Sequence, residues 1–223
     1  MATLFDVRDE HYVLTGLHQA HAAASRGEVV VVPTDTVYGL AVCPKVAGAV
    51  DRVVALKGRG RDMAPPILIA QLDQATPFVA EGALNEAVLS LAQHFWPGAL
   101  TIVLPINPDL GADIGQTPGT VAVRSPDHPA LLELLRIHGP LAVTSANRTG
   151  EPPCQSVYEA INVFGDGVSV YLSAGSGSET NHQPSTIVDA TPLVQGSNEV
   201  RIIRLGAISA HQLSDAGFSV VSP

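Results

Sequence analysis

The stretch VLTGLHQAHAAASRGEVVVVP, from Val13 to Pro33, changes its period once, and that change decides the fold class. Val13, Leu17, Ala20 and Ala24 recur at helical spacing, and Gly27 stands where such a helix would be capped. Glu28 to Val32 is then a short β-branched run that Pro33 ends, which reads as a strand. The same alternation continues downstream. Val46, Ala49, Val50, Val53 and Val54 form a second helical stripe, and Ile67 to Ala70 reads as a strand. Leu84 to Phe95 predicts a helix, followed by strands at Leu100 to Leu104 and Val121 to Val123. Asp127 is placed to cap a helix carrying Leu131, Leu134 and Leu135, which Gly139-Pro140 stops. Leu141 to Val143 and Val168 to Leu172 read as buried strands, with a helix near Ser156 to Phe164 between them. Thr186 to Val188 and Val200 to Ile203 complete the sheet, and a short helix follows Ser209. Strands alternating with helices imply an α/β sheet whose ligands sit beyond strand ends.

The chain has 223 residues, 46% of them hydrophobic and 15% charged, enough for a sizeable core in one large domain or two small ones. Aromatics make up only 4%, so Val, Leu, Ile and Ala must supply most of the buried surface. Ser173 to Asn181 is rich in Gly and Ser and reads as a mobile loop, not a linker. No internal repeat is present, and residues 1–223 are expected to form a single domain without a C-terminal extension. Cys43 and Cys154 are the only cysteines and are far apart, which fits neither a disulfide framework nor a CxxC metal site and points to the reducing cytoplasm. His18 and His21 are spaced i, i+3 without a Cys or carboxylate partner and read as surface histidines, so no metal ligand is assigned. There is no basic-then-apolar N-terminus and no run of about 20 apolar residues, so neither secretion nor a membrane span is expected.

Twelve basic residues face 21 acidic ones, a net charge of −9 that does not draw nucleic acid onto the surface. One local basic cluster stands against that field: Lys57-Gly58-Arg59-Gly60-Arg61, with Arg52 upstream. Its glycines let backbone approach a ligand, its lysine offers a point charge, and its arginines offer forks for phosphate oxygens. It lacks the GxxxxGK[ST] spacing of a Walker loop. A solvated basic turn at a helix C-terminus is the plainer reading. Thr34 to Leu40 follows a strand with small hydroxyls and a glycine, suiting either a ligand-facing turn or a strand-to-strand turn capped by Asp35. Thr144, Ser145 and Asn147 end another strand, as phosphate donors or as an Asx or ST turn. Arg124 and Arg204 each stand where the chain leaves an apolar strand, suited to an anion or to a surface ion pair. Ser185 opens a strand after the Gly/Ser-rich loop, as a ligand contact or a strand-start hydroxyl. No GxSxG elbow, HExxH helix or paired-carboxylate pattern is present, so these segments suit the clamping of a phosphorylated ligand.

In order, they resemble the YrdC-like family of threonylcarbamoyl-AMP synthases from about Glu28 to Ser209. The family's KxR…SxN pair is Lys57-Gly58-Arg59 and Ser145-Ala146-Asn147. Around it stand PTDTVYGL (Pro33 to Leu40), FWPGALTIVL (Phe95 to Leu104), VAVRSPDHP (Val121 to Pro129), STIVD (Ser185 to Asp189) and RIIRLGAIS (Arg201 to Ser209). The resemblance implies an open, twisted mixed sheet flanked by helices around a concave, positively lined cleft. It implies a nucleotidyltransferase that turns L-threonine, bicarbonate and ATP into L-threonylcarbamoyladenylate and pyrophosphate, usually with Mg²⁺. A separate tRNA-modifying complex would then use the product. By resemblance, Lys57, Arg59, Ser145, Asn147 and Arg204 hold ATP, with Lys57 and Arg59 catalytic and exposed in the cleft. Thr34, Arg124, Thr144 and Ser185 hold threonine, Arg124 pairing with its carboxylate. The chain departs from the pattern at Gly60, Ala64-Pro65-Pro66, Leu68, Ser173-Ala174-Gly175 and Leu205, none of which removes a charged clamp residue. Two other readings compete. An RNA-binding module would use Arg52, Lys57, Arg59 and Arg61 as a patch, against the acidic net charge and the shortage of aromatic platforms. A related enzyme with another carbamoyl donor would carry extra domains.

Overall fold

The computed structural model describes residues 2–175 and 183–222. In chain order the strands are β1 (Thr3–Asp6), β2 (Val30–Val32), β3 (Gly39–Val42), β4 (Ile67–Leu68), β5 (Leu100–Pro105), β6 (Thr120–Arg124), β7 (Leu141–Ser145), β8 (Val170–Ser173), β9 (Thr186–Asp189), β10 (Glu199–Arg204) and β11 (Ser219–Val221). The helices are α1 (Val13–Ser25), α2 (Ala49–Lys57), α3 (Glu86–Phe95), α4 (Pro129–His138), α5 (Val157–Phe164), α6 (Thr191–Val194) and α7 (Ala210–Asp215). Among the described residues the strands form one mixed sheet, ordered β1-β8-β2-β3-β7-β4-β6-β5-β9-β10-β11. It is the expected open α/β sheet with helices on both sides.

The β2 run is continuous in valine because both its faces are covered. Val30 and Val32 pack with Leu17 and Ala20 of α1 and Leu131, Leu134 and Leu135 of α4. Val29 and Val31 face the opposite layer with Val50 and Val53 of α2 and Val157 of α5. Strands buried on two faces read as apolar runs, not alternations. The reversal after α1 closes as a Schellman motif: Gly27 sits at φ 74°, its N–H bonds Ala24 O at 2.8 Å, and Glu28 N–H bonds Ala23 O at 3.0 Å.

Several boundaries differ from the sequence reading. Asp127 is exposed and caps nothing; α4 starts from His128, with Pro129 in its first turn supplying the helical φ. β4 is only Ile67–Leu68, and β8 begins at Val170. Asn85, whose Oδ1 accepts Val88 N–H at 3.0 Å, starts α3 two residues later than the apolar pattern does. Strands β1, β3 and β11 and helix α6 were not anticipated, being three or four residues each. The loop read over Ser173 to Asn181 falls largely on residues 176–182, outside the described ones.

Of the two histidines read as surface groups, His18 is exposed, whereas His21 lies at the α1–α4 seam with its Nδ1 3.1 Å from His138 Nδ1. Burial first, and then the neighbouring His21, hold His138 down to about 4. The unfolded chain therefore takes up this proton before the folded one does. The resulting stability is present above the unfolded value of about 6.5 and is lost as pH falls towards about 4. His138→Gln should flatten the decline in melting temperature over that range. Parallel declines in both proteins would refute it.

Candidate functional site

A cleft of about 620 Å³ opens where the middle strands end, and every side chain selected from the sequence lines it: Thr34, Lys57, Arg59, Arg124, Thr144, Ser145, Asn147, Ser185 and Arg204. The strand ends and the first turns after them deliver these groups, as expected for an α/β sheet.

The turn after β2 is a strand-to-strand connection that also faces the cleft. Thr34, not Asp35, caps it: Thr34 Oγ1 accepts the N–H groups of Thr36 (3.0 Å) and Val37 (3.1 Å) and donates to Val37 O (2.7 Å). Asp35 instead accepts from Nη2 of Arg124 at 2.5 Å. Arg124 also donates from Nη1 to Thr36 Oγ1 at 3.0 Å and from Nε to Gly98 O at 2.9 Å. Only 5% exposed, its guanidinium is pulled below its ordinary value by burial, with Asp35 acting the other way.

Helix α2 ends at Lys57, and its C-cap Gly58, at φ 64°, turns the chain before Arg59. Lys57 is 3% exposed, which corrects the expectation of an open cleft residue. Its ammonium donates to Ser145 O (2.6 Å), Asn147 O (2.8 Å) and Asn147 Oδ1 (3.1 Å). Burial first, and Arg59 second, lower it to about 8. Arg59 is half-buried, and its guanidinium makes no hydrogen bond or ion pair among the described residues; Nε is enclosed without a partner. Burial lowers it, with Asp62 opposing. The other basic side chains of the cluster are engaged elsewhere. Arg52 donates to Gly27 O, and Arg61 bridges Asp51 and Asp113. No continuous basic patch forms.

In the turn after β7, Ser145 Oγ donates to Asn147 Oδ1 at 2.6 Å, and Asn147 Nδ2 donates to Arg148 O and Glu151 O, each at 2.8 Å. Thr144 is buried in β7 opposite Leu40. At the end of β10, Arg204 Nη2 donates to Ser185 O (2.6 Å) and meets Ser185 Oγ (3.3 Å). A register shift between Ile202 and Arg204 turns the end of β10, bringing Ile203 and Arg204 both onto the cleft wall. Burial and then Arg124 depress Arg204.

The sequence reading missed Thr101, whose hydroxyl lies 2.8 Å from Ser185 Oγ, and Tyr38, whose hydroxyl accepts Ala174 N–H at 3.0 Å. A lone hydroxyl inside the apolar run Leu100 to Leu104 was the available signal for Thr101. Among the described residues no three His, Cys, Asp or Glu gather as a metal site, and no helix is long and apolar enough to cross a membrane.

This fold and cleft define an α/β protein with a strand-end cleft lined by Arg59, Arg124 and Arg204. The chain belongs to the Sua5/YciO/YrdC family, whose model, described as "Telomere recombination", matches residues 22–206. A protein of Mycobacterium tuberculosis is 37% identical over 215 residues, covering 96% of this chain and 95% of its own length. The threonylcarbamoyl-AMP synthase of Photobacterium profundum is 33% identical over 187 residues, covering 82% of this chain and all of that protein. The crystal structure of P. abyssi Sua5 complexed with L-threonine superposes with a TM-score of 0.85 at 28% identity, covering 99% of this chain. This chain spans 63% of the length of that Sua5.

Proposed function

We propose that this protein is a threonylcarbamoyl-AMP synthase, converting L-threonine, bicarbonate and ATP into L-threonylcarbamoyladenylate and pyrophosphate. One observation carries the reading: all nine residues selected from the sequence line one cleft. The name of the Photobacterium relative and the threonine complex of Sua5 support it.

The chemistry suits the residues. A carbamate oxygen of N-carboxylated threonine attacks the α-phosphorus, the bond to the bridging oxygen breaks, and pyrophosphate leaves. That oxygen is already anionic, so no general base is needed. What the site must supply is neutralisation and register between two anions. Arg59 and Arg204, with the Ser145 to Asn147 turn, would meet the nucleotide phosphates. Arg124, Thr34, Thr144 and Ser185 would hold threonine, its carboxylate on Arg124. Among the described residues Asp62 is the one carboxylate lining the cleft, too few hard oxygens there for a resident Mg²⁺. Magnesium would therefore enter on ATP. The product would pass to a separate tRNA-modifying complex in the cytoplasm. The RNA-module reading loses its footing, because Arg52, Lys57 and Arg61 are tied down within the protein.

Purified protein should release pyrophosphate only when ATP, threonine, bicarbonate and Mg²⁺ are all present, and mass spectrometry should find threonylcarbamoyladenylate. No adduct from the complete mixture overturns the reading.

A further inference from the structure

Lys57 and Asn147 have little left to offer a ligand. The three N–H bonds of the Lys57 ammonium match three oxygen acceptors, all within 3.1 Å. Asn147 is equally occupied: Oδ1 accepts from Lys57 and Ser145, and Nδ2 donates to two carbonyls. The main chain repeats the grip, since Lys57 O accepts Thr149 N–H at 2.9 Å. The end of α2 thus holds both ends of the turn that follows β7. Two backbone carbonyls and an amide oxygen converge on one buried point, an arrangement that the three N–H donors of an ammonium satisfy together. The C-terminus of a helix is a favourable place for that cation.

We infer that Lys57 is a positioning residue, clamping the Ser145 to Asn147 turn at the edge of the cleft, and that Arg59 is the cation of the pair that meets the ligand's phosphate. This rests on the proposed function only for the identity of that ligand. The clamp is a property of the unliganded protein. Arg59, whose guanidinium makes no hydrogen bond or ion pair among the described residues, is the group with donors to spare.

Lys57→Arg separates the two roles. A planar guanidinium is a good phosphate ligand, yet it cannot place three donors at one buried point. A direct phosphate contact would therefore survive the change, whereas a clamp would not. Amide exchange of residues 145–149, measured without ligand, should quicken by about tenfold or more in Lys57→Arg. ATP affinity, measured by titration calorimetry, should weaken by about tenfold to a hundredfold. Raising the pH should weaken ATP binding by the wild type, because a neutral amine has two N–H groups for three acceptors. The groups facing this amine are Arg59 and the Cys154 thiol, which is itself held up by burial, Glu159 and Glu151. That limb should centre near about 8 and be absent in Lys57→Arg.

Wild-type exchange in Lys57→Arg overturns the clamp, whether ATP affinity is kept or lost; if lost, Lys57 touches the nucleotide itself. Should Lys57→Arg fail to fold, Asn147→Ala keeps the lysine and removes one acceptor, and unchanged exchange there overturns the clamp as well. A wild-type protein that binds no ATP would refute the proposed function, leaving exchange to decide the clamp.

Discussion

Arg59→Ala is expected to lower kcat/KM for ATP by about a hundredfold to a thousandfold, read as pyrophosphate release with saturating threonine and bicarbonate. The melting temperature should hold or rise slightly. Both halves follow from the same geometry. The guanidinium is half-buried, and its charge finds no counter-charge closer than the influence of Asp62. It also presses on Lys57, whose ammonium it helps to destabilise. Removing it relieves a like-charge repulsion and leaves no hydrogen-bond partner stranded, so folding is expected to lose little. Catalysis, in contrast, loses the fork aimed into the cleft. Arg59→Lys should recover only part of the rate, since a point charge replaces two parallel donors. A drop in melting temperature above roughly 5 °C with activity retained would make Arg59 structural instead. Lys57→Ala differs in kind. Three oxygens would face one another without their cation, so loss of folding accompanies loss of rate.

That contrast marks where the sequence stops being legible. The KxR spacing located both cations at a helix end, where a solvated turn is the ordinary outcome. What buries Lys57 is a set of oxygens 88 and 90 residues further on, and no local pattern carries that information. Arg61 shows the converse: in sequence it extends a basic string, but Asp51 and Asp113 neutralise it, the second 52 residues away. Elements long enough to express a period were readable. α1 and β2 follow directly from the change at Gly27. Strand β3 was hidden because Gly39-Leu40-Ala41-Val42 is short and follows a polar turn whose residues attract the eye as ligands. β1 and β11 lie at the two edges of the sheet and are too short to show a pattern. The polar residues at strand ends could be picked out individually. Their convergence could not, since it depends on a strand order that interleaves distant segments.

Asp35 carries the second large effect, one the PTDTVYGL motif conceals by looking like a turn. Its side chain is 15% exposed and pairs with an arginine whose side chain is 6% exposed. Asp35→Ala would leave that guanidinium buried with only Gly98 O and Thr36 Oγ1 as acceptors. Breaking such a pair from one side costs about 3 kcal/mol or more. For a domain of this size that is a fall of roughly 6–12 °C in melting temperature. Ligand rescue then tests the threonine assignment. If the substrate carboxylate sits on Arg124, L-threonine supplies the missing anion, and Asp35→Ala should gain more thermal stabilisation from threonine than the wild type does. Arg124→Ala should gain none, because the cation is gone and Asp35 repels the carboxylate. Equal threonine shifts in all three proteins would remove Arg124 from the threonine site and leave its ion pair with Asp35 as a purely architectural tie between the β2–β3 turn and the end of β6.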